Sequence, residues 1–485
     1  MTAKLRVEGK LDFSLPTIYY LTKEQSEGNA KLKHHLPSDV YGRARELNKK
    51  GLFSGDECST APVQMGNRLA LLVGLGEQKE QTLTNLRCIV KCSLLSQYLK
   101  QSEQVNIFTE GMNRKELVAV AEGVLLGSYS WDKYVTKDAK KKPKEKTVHV
   151  SGDAKLLDRT ATICDNVNYA RGMVNENADI MNSAEIEKRF REAARAAPNT
   201  RLEVLDRAAL KSKGLNLILA VNSGSRFEPR LMIAKYSNGR AGEPYTAFVG
   251  KGVTFDTGGL DLKPGQYMIT MREDMAGSAA VLALLKNATD LKVKKNIIFA
   301  AAVVENAIGS KAFKPGDVIK GYSGKTVEVE STDAEGRLIL ADANAYVGKN
   351  YKPGTIINIA TLTGAVSVAL GSEYTGLMAN DQPLANALLR SAEDTDDRAW
   401  QLPMYKELSE HVKSKYADIR NLGLPKGEAG TISAAEFLRQ FVPEKTKWAH
   451  LDIGGTNFVE GDSRWHFGYG GTGAGIRLLT DFMLR

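Results

Sequence analysis

The sequence predicts an α/β protein, with a smaller N-terminal α/β domain and a larger C-terminal α/β domain built on a mixed, mainly parallel sheet. Three observations predict it. From Tyr245 onward, short apolar runs alternate with helix-patterned stretches, as in strands joined by helical crossovers. Acidic residues gather where those runs give way to helices, above all at Ser331-Thr332-Asp333-Ala334-Glu335-Gly336-Arg337-Leu338. A chain of 485 residues, 42% apolar and 25% charged, suits two or three ordinary globular domains.

The N-terminal 150 residues read as one α/β domain. Arg68 to Gly76 is a buried strand ending in a glycine turn, and Gln104 to Phe108 is a second strand. Leu83 to Leu99 is a helix with Leu86, Val90, Leu94 and Leu95 in register, and Leu117 to Gly127 is another. Gly74-x-Gly76 lacks the third glycine and the acidic partner of a dinucleotide fingerprint, so it reads as a turn. Residues 151–180 read as a linking helix and loop, with the helix from Lys155 to Val174.

Residues 181–485 form the larger domain. Ser183 to Ala197 is an amphipathic helix. Asn216 to Val221 and Arg230 to Tyr236 read as strands around a Gly-Ser loop. Thr246 to Asp256 is a strand pair or one bent strand. Met275 to Asn287 is an Ala-rich helix, and Asn296 to Val304 is a buried strand. Lys325 to Glu330 alternates, with Val327 and Val329 on one face, so it is a strand. A helix follows from Leu338. Thr355 to Ala360 is a strand, Ile432 to Phe441 a helix, and Trp448 to Ile453 the last strand.

Composition excludes some functions. No apolar run reaches the ~18 residues of a membrane span. Met1 to Glu8 has no apolar signal core, so a cytoplasmic protein is expected. Cys58, Cys88, Cys92 and Cys164 read as buried free thiols, and the six histidines show no His-x-x-x-His spacing for a zinc site. The net charge of +9 is concentrated early, where residues 1–150 hold 24 Lys+Arg against 17 Asp+Glu. Seven lysines lie between Lys133 and Lys146. Without interleaved aromatics this segment reads first as a solvated loop, and a nucleic-acid contact is the alternative.

Two clusters carry chemistry. The first, Asp333, Glu335 and Arg337, lies at a strand-to-helix corner, where open α/β sheets form their ligand crevices. Its structural reading is a capping box, Thr332-x-x-Glu335. The second cluster is Lys251, Asp256, Lys263 and Asp274, with Thr257-Gly258-Gly259 beside Asp256. Taken singly, Asp274 reads as a helix cap and the lysines as surface charges. If all four carboxylates share one crevice they need neutralising, and a pair of divalent cations does this strongly. Such a pair activates water, while the lysines and Arg337 suit an anionic intermediate. Oxygen ligands permit manganese, zinc, magnesium or cobalt. Another two-metal hydrolase, such as a phosphoesterase, uses the same residue types.

At these residues the chain resembles the leucyl aminopeptidases, also called cytosol aminopeptidases. The resemblance is carried by Val249-Gly250-Lys251-Gly252-Val253-Thr254-Phe255-Asp256-Thr257-Gly258-Gly259, Lys263-Pro264, Asp274-Met275 and Thr332-Asp333-Ala334-Glu335-Gly336-Arg337-Leu338. It continues through Ala360-Thr361-Leu362-Thr363-Gly364-Ala365 and Trp448-Ala449-His450-Leu451-Asp452-Ile453. It implies a macro-like N-terminal domain and a catalytic domain that removes the N-terminal residue of peptides with a metal-bridged water. By position, Lys251, Asp256, Asp274 and Glu335 resemble the ligands of a tighter metal, and Asp256, Asp333 and Glu335 those of an exchangeable one. Lys263 resembles the residue that polarises the scissile carbonyl and stabilises the gem-diolate. Arg337 resembles the residue that holds a bicarbonate ion, the proton carrier. Met271, Thr361, Leu362 and Gly364 resemble substrate-pocket positions. The resemblance further implies a homohexamer, a dimer of trimers.

The match departs at two places. The family usually has Asn where Ser331 stands, which predicts looser support for Asp333. The stretch Ala170 to Asn182 lacks the two prolines usual there, which predicts a less rigid loop.

Overall fold

A computed structural model describes residues 3–28, 36–136, 145–461 and 467–485. The chain divides into one unit of Met1–Asn168 with Glu460–Tyr469 and another of Tyr169–Val459 with Gly470–Arg485. The division falls inside the helix Ala154–Asn175. Among the described residues no helix is long and apolar enough to cross a membrane.

Among the described residues the first unit holds six strands: β1 (Ala3–Glu8), β2 (Thr17–Leu21), β3 (Thr60–Met65), β4 (Arg68–Gly74), β5 (Gln104–Ile107) and β6 (Lys146–Ser151). They form one sheet in the order β1-β6-β5-β2-β4-β3. All pairs are parallel except β3 with β4. The helix expected from Leu83 to Leu99 ends at Leu94, and a short 3-10 turn covers Gln97–Leu99. The helix expected from Leu117 starts at Arg114, because Asn113 and Glu116 close a capping box. Of the four cysteines only Cys164 is buried, and Cys92 is exposed. Of the lysine-rich segment, residues 137–144 lie outside the described residues.

The second unit is built on eight strands. These are β7 (Thr200–Leu205), β8 (Arg230–Ser237), β9 (Thr246–Asp256), β10 (Asn296–Asn306), β13 (Thr355–Ala360), β14 (Thr375–Ala379), β15 (Ala399–Gln401) and β17 (Lys447–Asp452). Between them in the chain fall β11 (Val318–Lys320), β12 (Thr326–Glu328) and β16 (Ile419–Arg420), which form a small separate sheet. The large sheet runs β15-β14-β17-β13-β9-β10-β8-β7. Its centre, β17-β13-β9-β10, is parallel, and antiparallel pairs flank it on both sides. The mixed sheet is the one the sequence predicts.

Central strands buried on both faces need continuous apolar runs. Val249, Val253, Ile298, Val304 and Ile356 supply them and pack in one core with Leu338, Leu340 and Tyr346 of the helix Glu335–Tyr351. Each such side chain contributes about 1.5–3 kcal/mol by leaving water. Small residues bring the helix Ala276–Asp290 onto β9, where a side chain on Gly250 would lie 2.3 Å from the Gly277 carbonyl oxygen.

Two expectations fail here. Asn216–Val221 is a helix and not a strand. A six-residue apolar run is ambiguous by period alone, and a distant residue decides it. The buried carboxylate of Asp342 accepts from Leu217 N (2.8 Å) and Ile218 N (3.2 Å), two donors of that helix's first turn. Its other oxygen accepts from Tyr322 N at 2.8 Å. Asp342→Ala leaves these three amides without their acceptor and destabilises the second unit by about 3–4 kcal/mol. Asp342→Asn, which keeps one acceptor oxygen, loses less. Denaturant midpoints of the three proteins check the order.

The strand expected over Lys325 to Glu330 is also shorter, closing at Glu328. Val329 N turns to Asp317 O, and Glu330 N donates to the side chain of Asn421, so the ladder loses its donors.

Candidate metal centre

The carboxyl ends of β9, β10, β13 and β17 lie side by side, ending at Asp256, Asn306, Ala360 and Asp452. This is where a crevice is expected in an open parallel sheet. Both sequence clusters meet there.

Lys251, in the middle of β9, is 3% exposed. Its ammonium donates to Asp274 Oδ1 (2.7 Å) and to the Thr361 carbonyl oxygen (2.8 Å), and it pairs with Glu335 Oε1 (2.9 Å). The side chain passes over the start of the helix Glu335–Tyr351 only because residue 336 is glycine. A Cβ there would lie 2.7 Å from Lys251 Nζ. Burial disfavours this ammonium, yet the carboxylates of Asp274, Glu335 and Asp256 outweigh burial and hold its pKa above the ordinary lysine range.

Asp256 ends β9. Its Oδ1 accepts from Gly258 N (2.9 Å) and Asn306 Nδ2 (2.8 Å), and its Oδ2 faces Lys263 Nζ at 2.9 Å. Lys263 also reaches Asp333 Oδ1 at 2.5 Å. Gly258 has φ of +85°, and a Cβ on it would meet the Asp261 carbonyl oxygen at 2.3 Å, so glycine is required for this return of the chain.

Asp256, Asp333 and Glu335 each offer an oxygen within 4.8 Å of the others. Burial, then the neighbouring Glu335 and Asp256 charges, push Asp333 up to about 7. Asp256 and Asp274 are also raised, chiefly by burial, whereas Lys251 and Lys263 together hold Glu335 below its ordinary value against burial. Glu335 Oε2 and Asp274 Oδ2 are buried with no hydrogen-bond partner. Four carboxylates stand against two ammonium groups, and two buried oxygens lack donors. Both features fit divalent cations, which take oxygen ligands and neutralise such a cluster.

Neither structural reading of the corner holds. Thr332 caps nothing. Its hydroxyl donates to the Gly258 carbonyl oxygen at 2.6 Å and accepts from Asp261 N at 2.8 Å, and the helix begins without a side-chain cap. Asp274 does not cap the Ala-rich helix. It lies in the 3-10 turn Met271–Met275, and its Oδ1 accepts from Thr361 Oγ1 at 2.7 Å.

Arg337, 6% exposed, donates through Nη1 to the Asn421 carbonyl oxygen at 2.7 Å, and its Nε has no partner. Burial lowers it to about 10 against the pull of Glu335, Asp452 and Asp333. A buried guanidinium with a spare N–H suits a small anion. Ser331 Oγ accepts from Asp333 N at 3.2 Å. Thr361 touches the centre directly, and Leu362 N donates to Asp452 Oδ1 at 3.0 Å. Met271 opens the 3-10 turn, and Gly364 opens the helix Gly364–Leu370 with open space where a Cβ would stand.

Several supports escape the sequence reading. Asn306 orients Asp256. Asn421 accepts from Glu330 N and donates to the Ser331 carbonyl oxygen at 2.6 Å, which fixes the corner. Asp452 accepts from Leu362 N, Gly454 N and Thr363 Oγ1, pinning the loop after β13. Asp452 and Asn306 stand at strand ends, which is the one signal available.

The model of the cytosol aminopeptidase family's catalytic domain matches residues 168–480, and that of its N-terminal domain matches residues 19–138. The chain belongs to the cytosol aminopeptidase family. It is therefore a metallo-exopeptidase acting on peptides. Among its relatives is a probable cytosol aminopeptidase of Geotalea uraniireducens (strain Rf4), 39% identical over 424 residues, 85% of this chain and 84% of that one. One from Geobacter sp. (strain M21) is 41% identical over 428 residues, 86% and 85% of the two chains. One from Phytoplasma australiense is 36% identical over 477 residues, 96% and 94%. Among solved structures, the bottromycin maturation enzyme BotP in complex with Mn superposes with a TM-score of 0.84 at 26% identity, covering 97% of this chain and 99% of that one.

Proposed function

We propose that this cytosol aminopeptidase removes N-terminal residues, leucine among them, with two divalent cations held by Lys251, Asp256, Asp274, Asp333 and Glu335. The observation that carries this is the triad of Asp256, Asp333 and Glu335 oxygens within 4.8 Å of one another, Asp256 at the end of β9 and Glu335 at the start of its helix. Manganese or zinc suits the donors, and magnesium or cobalt is compatible. When bound, such cations supply an activated water and Lewis-acid polarisation of the carbonyl. Lys251 then serves as a neutral amine, its proton displaced on metal binding.

The remaining steps belong to the chain's own groups. The free, unprotonated α-amine of a peptide would be a further ligand for cations held by these residues, and a blocked terminus would not. Lys263 donates to the oxygen that gains charge when the carbonyl is attacked. Arg337 would hold a bicarbonate ion, which would supply a proton carrier for the leaving amine. Met271, Thr361, Leu362 and Gly364 line the pocket for the first side chain. We assign the protein to the cytoplasm as a homohexamer, a dimer of trimers, and keep 1–150, 151–180 and 181–485 as its N-terminal domain, linker and catalytic domain.

The test is hydrolysis of leucine p-nitroanilide by chelator-stripped protein, with and without added manganese or zinc. Activity returns with metal in the wild type, stays lower by roughly 100-fold or more in Asp333→Ala, and is absent on p-nitrophenyl phosphate. Phosphoester hydrolysis without aminoacyl hydrolysis would refute the proposal.

A further inference from the structure

Three of the four cysteines gather in the first unit around one close pair. The thiols of Cys58 and Cys92 hydrogen-bond to each other, although they lie on different elements. Cys92 is exposed near the end of the helix Leu83–Leu94, and Cys58 is half-buried in the turn before β3. Tyr20 of β2 stands beside both, since a charge on either sulfur reaches it, and its hydroxyl pairs with Ser93 Oγ at 2.9 Å.

Both partners are held from elsewhere. Cys58 N donates to the Gly74 carbonyl oxygen at 3.1 Å, and Gly74 N donates to the Ser59 carbonyl oxygen at 2.8 Å. A Cβ on Gly74 would meet the Asp56 carbonyl oxygen at 2.1 Å, so the turn lies hard against the end of β4. Cys58 itself has φ of +58°, a left-handed conformation that residues other than glycine seldom adopt. The helix is fixed by Arg87, whose buried guanidinium pairs with Glu122 Oε2 at 2.5 Å. It is also fixed at Gly123, where a Cβ would meet Val90 Cβ at 2.8 Å. The two sulfurs therefore stay in contact with little freedom to lose, and a disulfide needs that proximity.

The two thiols differ chemically. Their hydrogen bond lowers Cys92 to about 6 against burial, with Lys91 helping and Glu57 opposing, and the same bond raises Cys58. Cys92 is thus the thiolate and Cys58 keeps its proton, the division of roles that an attacking and a resolving cysteine require. Cys88, one turn earlier, is stacked on the same helix face as Cys92 rather than opposite it, and burial raises its thiol to about 11. A metal site accounts for the cluster less well. Among the described residues, the one group of three or more histidine, cysteine or acidic ligands close enough to hold an ion is Asp256, Asp333 and Glu335.

We infer that Cys92 and Cys58 form a hydroperoxide-reactive pair, in which Cys92 attacks the peroxide and Cys58 closes a disulfide with it. The Cys92 thiolate bonds one oxygen of hydrogen peroxide, the O–O bond breaks, and hydroxide leaves, so that Cys92 becomes a sulfenic acid. The Cys58 sulfur then attacks the Cys92 sulfur, the S–O bond breaks, and the hydroxyl leaves with the Cys58 proton as water. The pair loses two electrons, and the peroxide that gains them ends as water and hydroxide. No residue of the pair belongs to the metal centre, so this modification site stands independently of the aminopeptidase reading.

The test treats the full chain with hydrogen peroxide at pH 7, alkylates the remaining thiols and maps the peptides by mass spectrometry. One linkage forms, between the peptides of Cys58 and Cys92, about threefold or more faster than glutathione is oxidised alongside, and dithiothreitol reverses it. Cys58→Ser stops at a Cys92 sulfenic acid that dimedone captures, Cys92→Ser forms no linkage, and Cys88→Ser forms it within about twofold of the wild-type rate. Circular dichroism checks that each variant is folded, and the wild-type map decides the matter without them. Retention of all the thiols, oxidation no faster than that of glutathione, or linkage of Cys92 to Cys88, to Cys164 or to a second chain would overturn the pair.

Discussion

Glu335→Gln lowers peptide hydrolysis by roughly 1,000-fold or more at saturating substrate. Glu335 is 1% exposed, begins its helix, and contributes to both halves of the centre. One oxygen pairs with Lys251 and the other is buried without a donor. Glutamine keeps the volume and one acceptor, so the chain folds, but it removes the charge that a cation needs and presents an N–H₂ group to it. Two readouts belong together. Manganese affinity, measured by calorimetry on stripped protein, falls along with turnover, while the circular dichroism spectrum is unchanged. Full turnover with weakened metal binding would separate the acidic centre from catalysis.

Lys263→Ala gives the second large loss, about 100- to 1,000-fold in kcat, with metal binding retained. Lys263 is the more accessible of the two lysines, on a loop anchored around it, and it lies against Asp256 and Asp333. Burial opposes its charge, but Asp256, Glu335 and Asp333 outweigh that and keep it protonated well above neutral pH. A lysine ammonium at neutral pH is a hydrogen-bond donor. Its removal costs the interaction made as negative charge develops on the carbonyl oxygen, so kcat falls more than KM rises. Lys263→Arg restores charge without the geometry and recovers little. A variant that loses manganese affinity instead of kcat would show that Lys263 serves the metal and not the carbonyl.

Much of this centre was legible in the sequence because its parts are local. Lys251 to Lys263 and Asp333 to Arg337 are short stretches with unusual charge at strand ends, and the runs of β9, β10, β13 and β17 are long enough to identify. What stayed hidden depends on distant partners. Asn306 meets Asp256 across 50 residues, and Asn421 meets Ser331 across 90. Asn306 is marked only by its place at the end of β10, and nothing near Asn421 marks it. The same cause explains Asn216–Val221, whose helix is set by Asp342, more than 120 residues on. Thr332 misled differently. The capping-box pattern is present, but its hydroxyl is taken by the Gly258 turn, so tertiary contact overrides the local preference.

The most direct test of the acidic centre as a metal-dependent N-terminal exopeptidase site is mass-spectrometric product analysis. The manganese-loaded protein and its chelator-stripped form are each incubated with Leu-Gly-Gly and with N-acetyl-Leu-Gly-Gly. Free leucine and Gly-Gly appear only from the unblocked peptide and only with metal, and Glu335→Gln releases neither. Cleavage of the acetylated peptide, an internal cut, or release by the stripped protein would contradict it.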